Sequence, residues 1–597
     1  MATAALDSIL PSLLPFPVPP SAQKLLNRIF GIAEIAQVYD QIQAHRSSAS
    51  IADRLLDFLD ISYVTSAIDL KHIPSSGAAI VTVNHPFGIL DGAILASLLA
   101  KVRPDARFLA NGLLTVVPEL RDIMIPVDPI AGRSAIARNG RGLRQSIEHL
   151  RNGGLLVVFP AGEVAHFRWR SFAVADGEWN PAAARLAGIT GAPVVPMYIS
   201  GSNGPAFHIA GMAHPALRTA LLVRELLNKR GRRVEVYAGS SITADKLRSM
   251  SGDREPVEYL RWRTHLLAKR EQFKPRTSAP LANREKPDRS EPIEAPLPGA
   301  DIAAEIAGLP AGCLLGRSGD LEAYLTTAIH IPSVLNELGR LREITFRAAG
   351  EGTGKSLDTD EFDAHYLHLF VWNARAAELV GAYRLAPTDA IRTRHGTRGL
   401  YTATLFRYGD PFLERIGPAL ELGRSFIRQE YQKGFAPLLL LWKGIGAFVA
   451  RNPQYKVLFG PVSISNQYQS VSRELMISFL EKHAFLEELA GLVRNRCPLR
   501  RGRHAQWPAS TLDVEDLTAS ISDIEQKQTG VPVLLRQYLK LGGKLLGFSV
   551  DPKFANALDG LILVNLTKTE PKLLERYLGK NEARTFLEFH KGNHGTH

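Results

Sequence analysis

The sequence predicts an α/β domain over residues 50–270 and an α+β domain over residues 305–590, joined by a linker. Three observations carry that prediction. Short apolar runs alternate with helix-like runs in the first half, which argues for a layered α/β arrangement. Residues 271–304 then become rich in proline and charge and poor in large apolar side chains, the composition of a linker. Beyond them, paired strand-like runs mix with helices.

Residues 1–49 form an N-terminal segment, proline-rich up to Pro20. Leu25, Leu26, Ile29, Phe30, Ala33, Ala36, Tyr39 and Ile42 recur at helical spacing. They predict an amphipathic helix that either packs on the next domain or lies in a membrane interface. In the first domain, strands are expected at Ala79–Val83, Leu155–Phe159, Val194–Ile199 and Val234–Tyr237. Helices are expected at Ala93–Val102, Ala135–Leu150, Ala182–Ala187 and Pro215–Asn228. In the second domain, strands are expected at Tyr366–Val371, Glu378–Leu385, Gly399–Phe406, Ala419–Arg428, Val457–Pro461 and Gly560–Leu566. Helices there are Leu438–Ala450 and Gln469–His483, and residues 591–597 read as a frayed tail.

Among the 597 residues, 45% are hydrophobic and 22% charged, enough to build sizeable cores. A formal charge of +12 suits an anionic partner: nucleic acid, a membrane surface or an acidic carrier protein. The basic residues are spread out and form no recognisable nucleic-acid module, so that class ranks last. The two cysteines, Cys313 and Cys497, give neither a disulfide framework nor a cysteine zinc site. No uncharged apolar run reaches the length of a membrane span, and the first charge is Asp7. The expected location is cytoplasmic, with peripheral attachment to the inner membrane.

The chemistry concentrates first at Ala78–Gly92, AAIVTVNHPFGILDG. An apolar strand there runs into Asn84-His85, a tight turn and a helix. Asp91, in the first helical turn, can fold back on the imidazole, fix its tautomer and stabilise the imidazolium. Such a pair is a base without a protein nucleophile, suited to activating a substrate hydroxyl. Ile125–Arg133 (IPVDPIAGR), Phe159–Glu163 (FPAGE) and Pro193–Gly201 can converge on it, because strand ends in a parallel sheet share one edge.

Together, NH-x5-D, FPAGE and APVVPMYISG resemble the phospholipid-type glycerolipid acyltransferases over about residues 50–245. The family pattern has four residues between His and Asp, and FPEG in place of FPAG. Both departures look more like the branch that acylates lyso-aminolipids, often described as hemolysin-like. The resemblance implies His85 as base, Asp91 as its partner and Arg133 and Glu163 at the acceptor site. Backbone amides near Gly162 would stabilise the oxyanion. It requires no metal and no tightly bound cofactor.

In the second domain, Ala349–Ser356 (AGEGTGKS) has the phosphate-loop spacing, but no buried strand precedes it, so it reads as a flexible loop. His365 and His368 would face opposite sides of a strand and make a poor metal pair. FDAHYLHLFVW, VGAYRL, ELGRSFI and VPVLLRQYLKLGGKLLG are similar to acyl-carrier-protein-dependent N-acyltransferases, relatives of the acetyltransferase superfamily. That likeness implies Glu421 at the acceptor amine, with Arg384 and Arg424 binding a carboxylate or the carrier and Asp363 nearby. Gly434, in Tyr431-x-x-Gly434-x-Ala436, would bind the donor. Glu421 and Arg424 reach one pocket only if a bulge at Gly423 re-aims one of them.

Fused in this order, the halves resemble the bifunctional ornithine-lipid synthases of bacteria. The expectation is N-acylation of an amino acid from acyl-acyl-carrier protein or acyl-CoA, then O-acylation of the resulting lyso-lipid at the membrane. One alternative is a single O-acyltransferase with a carrier-binding second domain. Another is a non-catalytic membrane-binding or lytic protein.

Overall fold

The computed structural model describes residues 27–44, 49–127, 133–169, 172–273, 290–499, 513–527 and 529–592. The chain divides into two compact units: Met1–Lys274 with Trp507–Gly530, and Pro275–Gln506 with Val531–His597.

The first unit has strands β1 (Ser62–Val64), β2 (Ala79–Val83), β3 (Arg107–Asn111), β4 (Met124–Val127), β5 (Leu155–Val158), β6 (His166–Arg168), β7 (Ala173–Ala175), β8 (Val194–Ile199) and β9 (Arg233–Ala238). Seven of them form one sheet in the order β1-β9-β8-β2-β5-β3-β4, while β6 and β7 make a separate hairpin. Every pair in the large sheet is parallel except β8–β9. β2, β5 and β8 are almost wholly apolar, Thr82 being the polar residue of β2, as strands buried on both faces of a parallel sheet are. All five β2 residues are buried, and each such Val or Ile contributes roughly 1.5–3 kcal/mol. The expected first-unit strands and helices are all present within a few residues of their predicted ends. The sequence pattern missed β1, β3, β4 and the hairpin, which are short and interrupted by polar residues or proline.

The amphipathic N-terminal stretch forms helix Ile32–Ala44. Phe30 and Ile32 pack with Ala220, Leu217 and Leu221 of helix Pro215–Leu227. The apolar face of residues 27–44 is therefore spent on this unit. The proline-rich residues 1–20 lie outside the described residues.

One segment departs from the sequence division. Helix Val514–Glu525 lies in sequence between β-strands of the second unit (Arg494–Asn495 before it, Lys544–Asp551 after it), yet it belongs to the first unit. Asp523, buried, accepts from the Ser240 amide at 2.8 Å and from Arg263 Nη2 at 3.0 Å. Tyr259 donates to Asp516 at 2.8 Å, and Lys246 pairs with both Asp513 and Asp516. The single span 305–590 is thus interrupted, for a reason no local pattern carries. The linker is also shorter than expected at its end. Helix Gly299–Ala307 buries Ile302 and Ile306 in the second unit's core, and Leu297 packs beside them. Residues 274–289 and 593–597 lie outside the described residues, and helix Lys580–Gly592 occupies the start of the expected tail.

The second unit has β10 (Leu314–Ser318), β11 (Leu321–Thr327), β12 (Leu367–Asn373), β13 (Glu378–Pro387), β14 (Phe406–Arg407), β15 (Ala419–Ile427), β16 (Val457–Ile464), β17 (Arg494–Asn495), β18 (Lys544–Asp551) and β19 (Ala557–Asn565). Eight of these form a sheet in the order β10-β11-β12-β13-β15-β16-β19-β18. Only β15–β16 is parallel. Their pairing runs from Ala419↔Val457 to Glu421↔Phe459 and stops, although both strands continue. A Cβ on Gly460 would stand 2.0 Å from the Leu422 carbonyl oxygen, so only glycine permits the approach at which the strands part. The expected strand Gly399–Phe406 is not formed. Thr402–Leu405 is a helical turn, and only Phe406–Arg407 is extended.

Candidate active sites

The C-terminal ends of β2, β5 and β8 carry the first site. His85 Nδ1 lies 2.8 Å from Asp91 Oδ2, and the same oxygen accepts from the Phe87 amide at 2.9 Å and the Gly88 amide at 2.8 Å. Gly88 takes φ +90°, and a Cβ there would stand 2.8 Å from Leu222. The tight turn therefore needs glycine, and it is this turn that brings Asp91 back to the imidazole. Asp91 is fully buried; burial pushes its carboxyl up against the opposing pull of His85 and the two amides. The ring of His85 lies against Phe159, with centroids 4.2 Å apart, and is 18% exposed. With Nδ1 committed to Asp91, Nε2 is the nitrogen left to exchange a proton with a substrate.

Residues that sequence reasoning missed hold this loop. Buried Asp176 accepts from the His85 amide and from Trp179 Nε1, both at 3.2 Å, and its Oδ2 lies 3.3 Å from His265 Nε2. Burial works to raise the Asp176 carboxyl, but His265 and these donors outweigh it and keep the group below its ordinary value. Asn84 clamps the end of β8 through both backbone groups of Ile199, at 2.9 and 2.7 Å. The tripeptide Asp176-Gly177-Glu178 before Trp179 was the available signal, but nothing local tied it to His85.

Two roles expected from the sequence are corrected by this geometry. The Gly162 amide closes its own turn onto the Phe159 carbonyl at 3.0 Å, so it is not an oxyanion donor. Glu163 is taken up by Arg168 at 3.1 Å and Arg218 at 2.7 Å, which makes it a tie between loops. Arg133 is the first residue of helix Arg133–Arg151.

In the second unit, β15 bulges where the sequence required it. Gly423 pairs with Arg384 and Phe426 with Ala382, so Arg424 and Ser425 oppose Tyr383 alone. Arg424 adopts φ +48°, a conformation disfavoured for a side chain of its size. Its guanidinium lies 3.2 Å from Asp358, 3.5 Å from Asp360 and 3.3 Å from the Tyr401 hydroxyl, against the rings of Tyr401 and Phe554. Arg384, fully buried, pairs with Asp360 and Asp363, and Arg342 pairs with Asp363 at 2.8 Å. Despite burial, Arg342 and Arg384 hold Asp363 far below the usual carboxylate range.

Glu421 does not play the expected part. Buried in the strand, it accepts from the Tyr366 hydroxyl, the Tyr401 amide, the Thr402 amide and the Thr402 hydroxyl. Four donors fill both carboxylate oxygens, so Glu421 positions the Tyr401–Thr402 turn and has no acceptor site left for an amine. These bonds also explain why residues 399–405 are not a strand.

The carboxylate that does remain near Arg424 is Asp559 on β19. Ser463 donates to it at 2.8 Å from the part of β16 beyond the divergence from β15. Burial pushes Asp559 up to about 7, with Ser463 and Arg424 opposing and Asp551 reinforcing. Asp551 in turn accepts from the Tyr401 hydroxyl at 3.1 Å. Gly434 closes a turn onto Tyr431 at 3.3 Å just before helix Ala436–Arg451.

The remaining motifs are accounted for locally. Glu343 accepts from the Thr353 amide and hydroxyl and the Gly354 amide, so a carboxylate occupies the amide cradle of the AGEGTGKS loop. His365 and His368 are each tied to a backbone carbonyl, of Gly399 and Asp363.

Comparison with known proteins finds a different family in each half of the chain. Residues 55–272 match the family described as Acyltransferase, and residues 341–443 the family described as Acetyltransferase (GNAT) domain. A glycine N(alpha)-acyltransferase of Phocaeicola vulgatus is 42% identical over 173 residues, 27% of this chain and 53% of that protein. A second, of Bacteroides thetaiotaomicron, is 32% identical over 287 residues, 45% of this chain and 83% of that protein. The crystal structure of the 1-acyl-sn-glycerophosphate (LPA) acyltransferase PlsC from Thermotoga maritima is 17% identical, covering 46% of this chain and 95% of that one, with a TM-score of 0.25. The chain thus spans about half the length of the first relative and most of the second. Among the described residues, no helix is long and apolar enough to cross a membrane.

Proposed function

The chain belongs to the family of the glycine N(alpha)-acyltransferases, and on that premise we propose that it is an aminolipid synthase with two acyl-transfer sites. The observation that carries this reading is the presence of two unlike sites in one chain: a His–Asp base in the first unit and an arginine–carboxylate cluster beside parted strands in the second.

In the second unit, an acyl-carrier protein delivers a 3-hydroxyacyl thioester, with acyl-CoA as the alternative donor. An amino acid enters with its carboxylate towards Arg424. Its ammonium gives a proton to Asp559, the free amine attacks the thioester carbonyl, and collapse of the tetrahedral intermediate breaks the C–S bond as the surplus proton on the nitrogen passes to the leaving thiolate, releasing the carrier as a thiol; Asp559 returns its proton to solvent. The lyso-lipid then meets His85. Nε2 takes the 3-hydroxyl proton as that oxygen attacks a second thioester, Asp91 steadies the imidazolium, and the proton passes to the leaving thiolate. The two substrates of this second step are lipophilic, which favours work at the cytoplasmic face of the inner membrane.

Ornithine is the proposed head group. Asp551 and Asp559 exceed the carboxylates paired with Arg342, Arg384 and Arg424, and so favour an acceptor with a second ammonium. Glycine is the second reading, favoured by the relatives' names. Mass spectrometry of lipids from cells expressing the chain separates the two by head-group mass. His85→Ala should accumulate mono-acylated aminolipid, with di-acylated product reduced by ~1000-fold or more. Di-acylated lipid at wild-type levels from His85→Ala would sink the two-site scheme.

A further inference from the structure

We propose that the β6–β7 hairpin, with the neighbouring helix Pro205–Ala213, inserts into the surface of an anionic lipid bilayer and so sets the first site at the membrane. The inference rests on the O-acyl transfer reading and names the surface that would meet its lipid substrate.

The hairpin carries Trp169 at 64% exposure and Phe172 at 77%. These rings and that of Phe167 contact one another edge to face, with centroids 5.4–6.3 Å apart. Water contact of this kind is costly for an isolated soluble unit, and the rings are held together as one tip. Helix Pro205–Ala213 packs on β6 and leaves Ile209 62% and Met212 42% exposed. Residues 202–217 contain no Asp, Glu, Lys or Arg, whereas residues 164–175 contain Arg168 and Arg170 and no acid. Exposed aromatics in a stretch whose only charged residues are basic, beside an uncharged helix, match the chemistry of an anionic bilayer interface, with the rings at the boundary.

The position fits the use. The amide of Ala165, at the start of the hairpin, donates to the His85 carbonyl at 2.8 Å. Arg168 at the end of β6 reaches Glu163 in the FPAGE loop. A lipid acceptor leaving the bilayer along this hairpin arrives at the base. The described part of the N-terminal amphipathic segment offers less, since its Phe30 and Ile32 are packed on helix Pro215–Leu227 and, of its large apolar side chains, Ile29 is the exposed one.

The test is co-sedimentation of the full chain with vesicles of phosphatidylcholine and phosphatidylglycerol. Wild type should sediment with them, and Trp169→Ser combined with Phe172→Ser should lower the bound fraction roughly tenfold or more. The double variant should keep O-acyl transfer to detergent-dispersed lyso-lipid, which separates this proposal from the functional one. A second reading uses vesicles with brominated acyl chains. They should quench wild-type tryptophan fluorescence, and the conservative Trp169→Phe should lose part of that quenching while still sedimenting. Sedimentation of the double variant at wild-type levels, or quenching unchanged by Trp169→Phe, overturns the proposal and points to a carrier protein or another partner as the occupant of this tip. Failure of wild type to sediment overturns it as well.

Discussion

At the level of single residues, the two sites differ in how much of each could be read from the chain. His85 and Asp91 are separated by one tight turn, so their pairing is a local matter of backbone geometry and was visible in the sequence. Asp176 lies in another loop, far from His85 in sequence, and the fold brings it to the His85 amide, while Asp559 lies far beyond Arg424 in sequence. Neither contact leaves a periodic or spacing signal. Asp176→Asn should lower O-acyl transfer by roughly 10–100-fold by loosening the His85 backbone, with N-acyl transfer unchanged in the same preparation. Asp559→Asn should move activity and stability in opposite directions. As a base, Asp559 must be ionised, so N-acyl transfer should rise with pH through about 7, and the variant should lose both the rate and that limb of the profile. A buried acid whose folded-state value is raised contributes stability at low pH that is lost as pH rises through the raised value. The variant should therefore melt at a higher temperature than wild type above pH ~7.5, with no gain near pH ~4. A pH–rate profile and a pair of melting curves check both statements.

At the level of elements, strands that are buried and predominantly apolar were legible, and segments whose conformation is set by a single polar contact were not. β2 and β8 appear where the sequence put them because both faces are buried. Residues 399–405 have strand-like composition, yet Glu421 captures the Tyr401 and Thr402 amides and converts the segment to a helical turn. The bulge in β15 was foreseeable as a requirement, since Glu421 and Arg424 sit at opposite parities, and the structure meets it with the left-handed conformation of Arg424. Gly460 governs where β15 and β16 separate. Gly460→Ala should destabilise the second unit by ~2 kcal/mol or more and depress N-acyl transfer. Denaturant melts with O-acyl assays alongside would show whether the first unit is spared.

At the level of the whole molecule, a linker between two domains was the natural reading of residues 271–304, and the path of the chain is less simple. Helix Val514–Glu525 completes the first unit through Asp523 and Asp516. A fragment ending at the linker should leave Arg263 buried without its carboxylate, at a loss of roughly 3–5 kcal/mol. It should melt well below the full chain and regain stability when a peptide of residues 507–530 is supplied; no response to the peptide would count against this. The same helix has a bearing on biosynthesis. Domains commonly fold in the order they emerge from the ribosome, but here the first catalytic unit waits for a piece encoded far downstream in the message. Most of the second unit must be translated before the first can close. A nascent chain therefore holds an unfinished core in need of chaperone cover, and a premature stop codon anywhere ahead of that helix would leave both units incomplete.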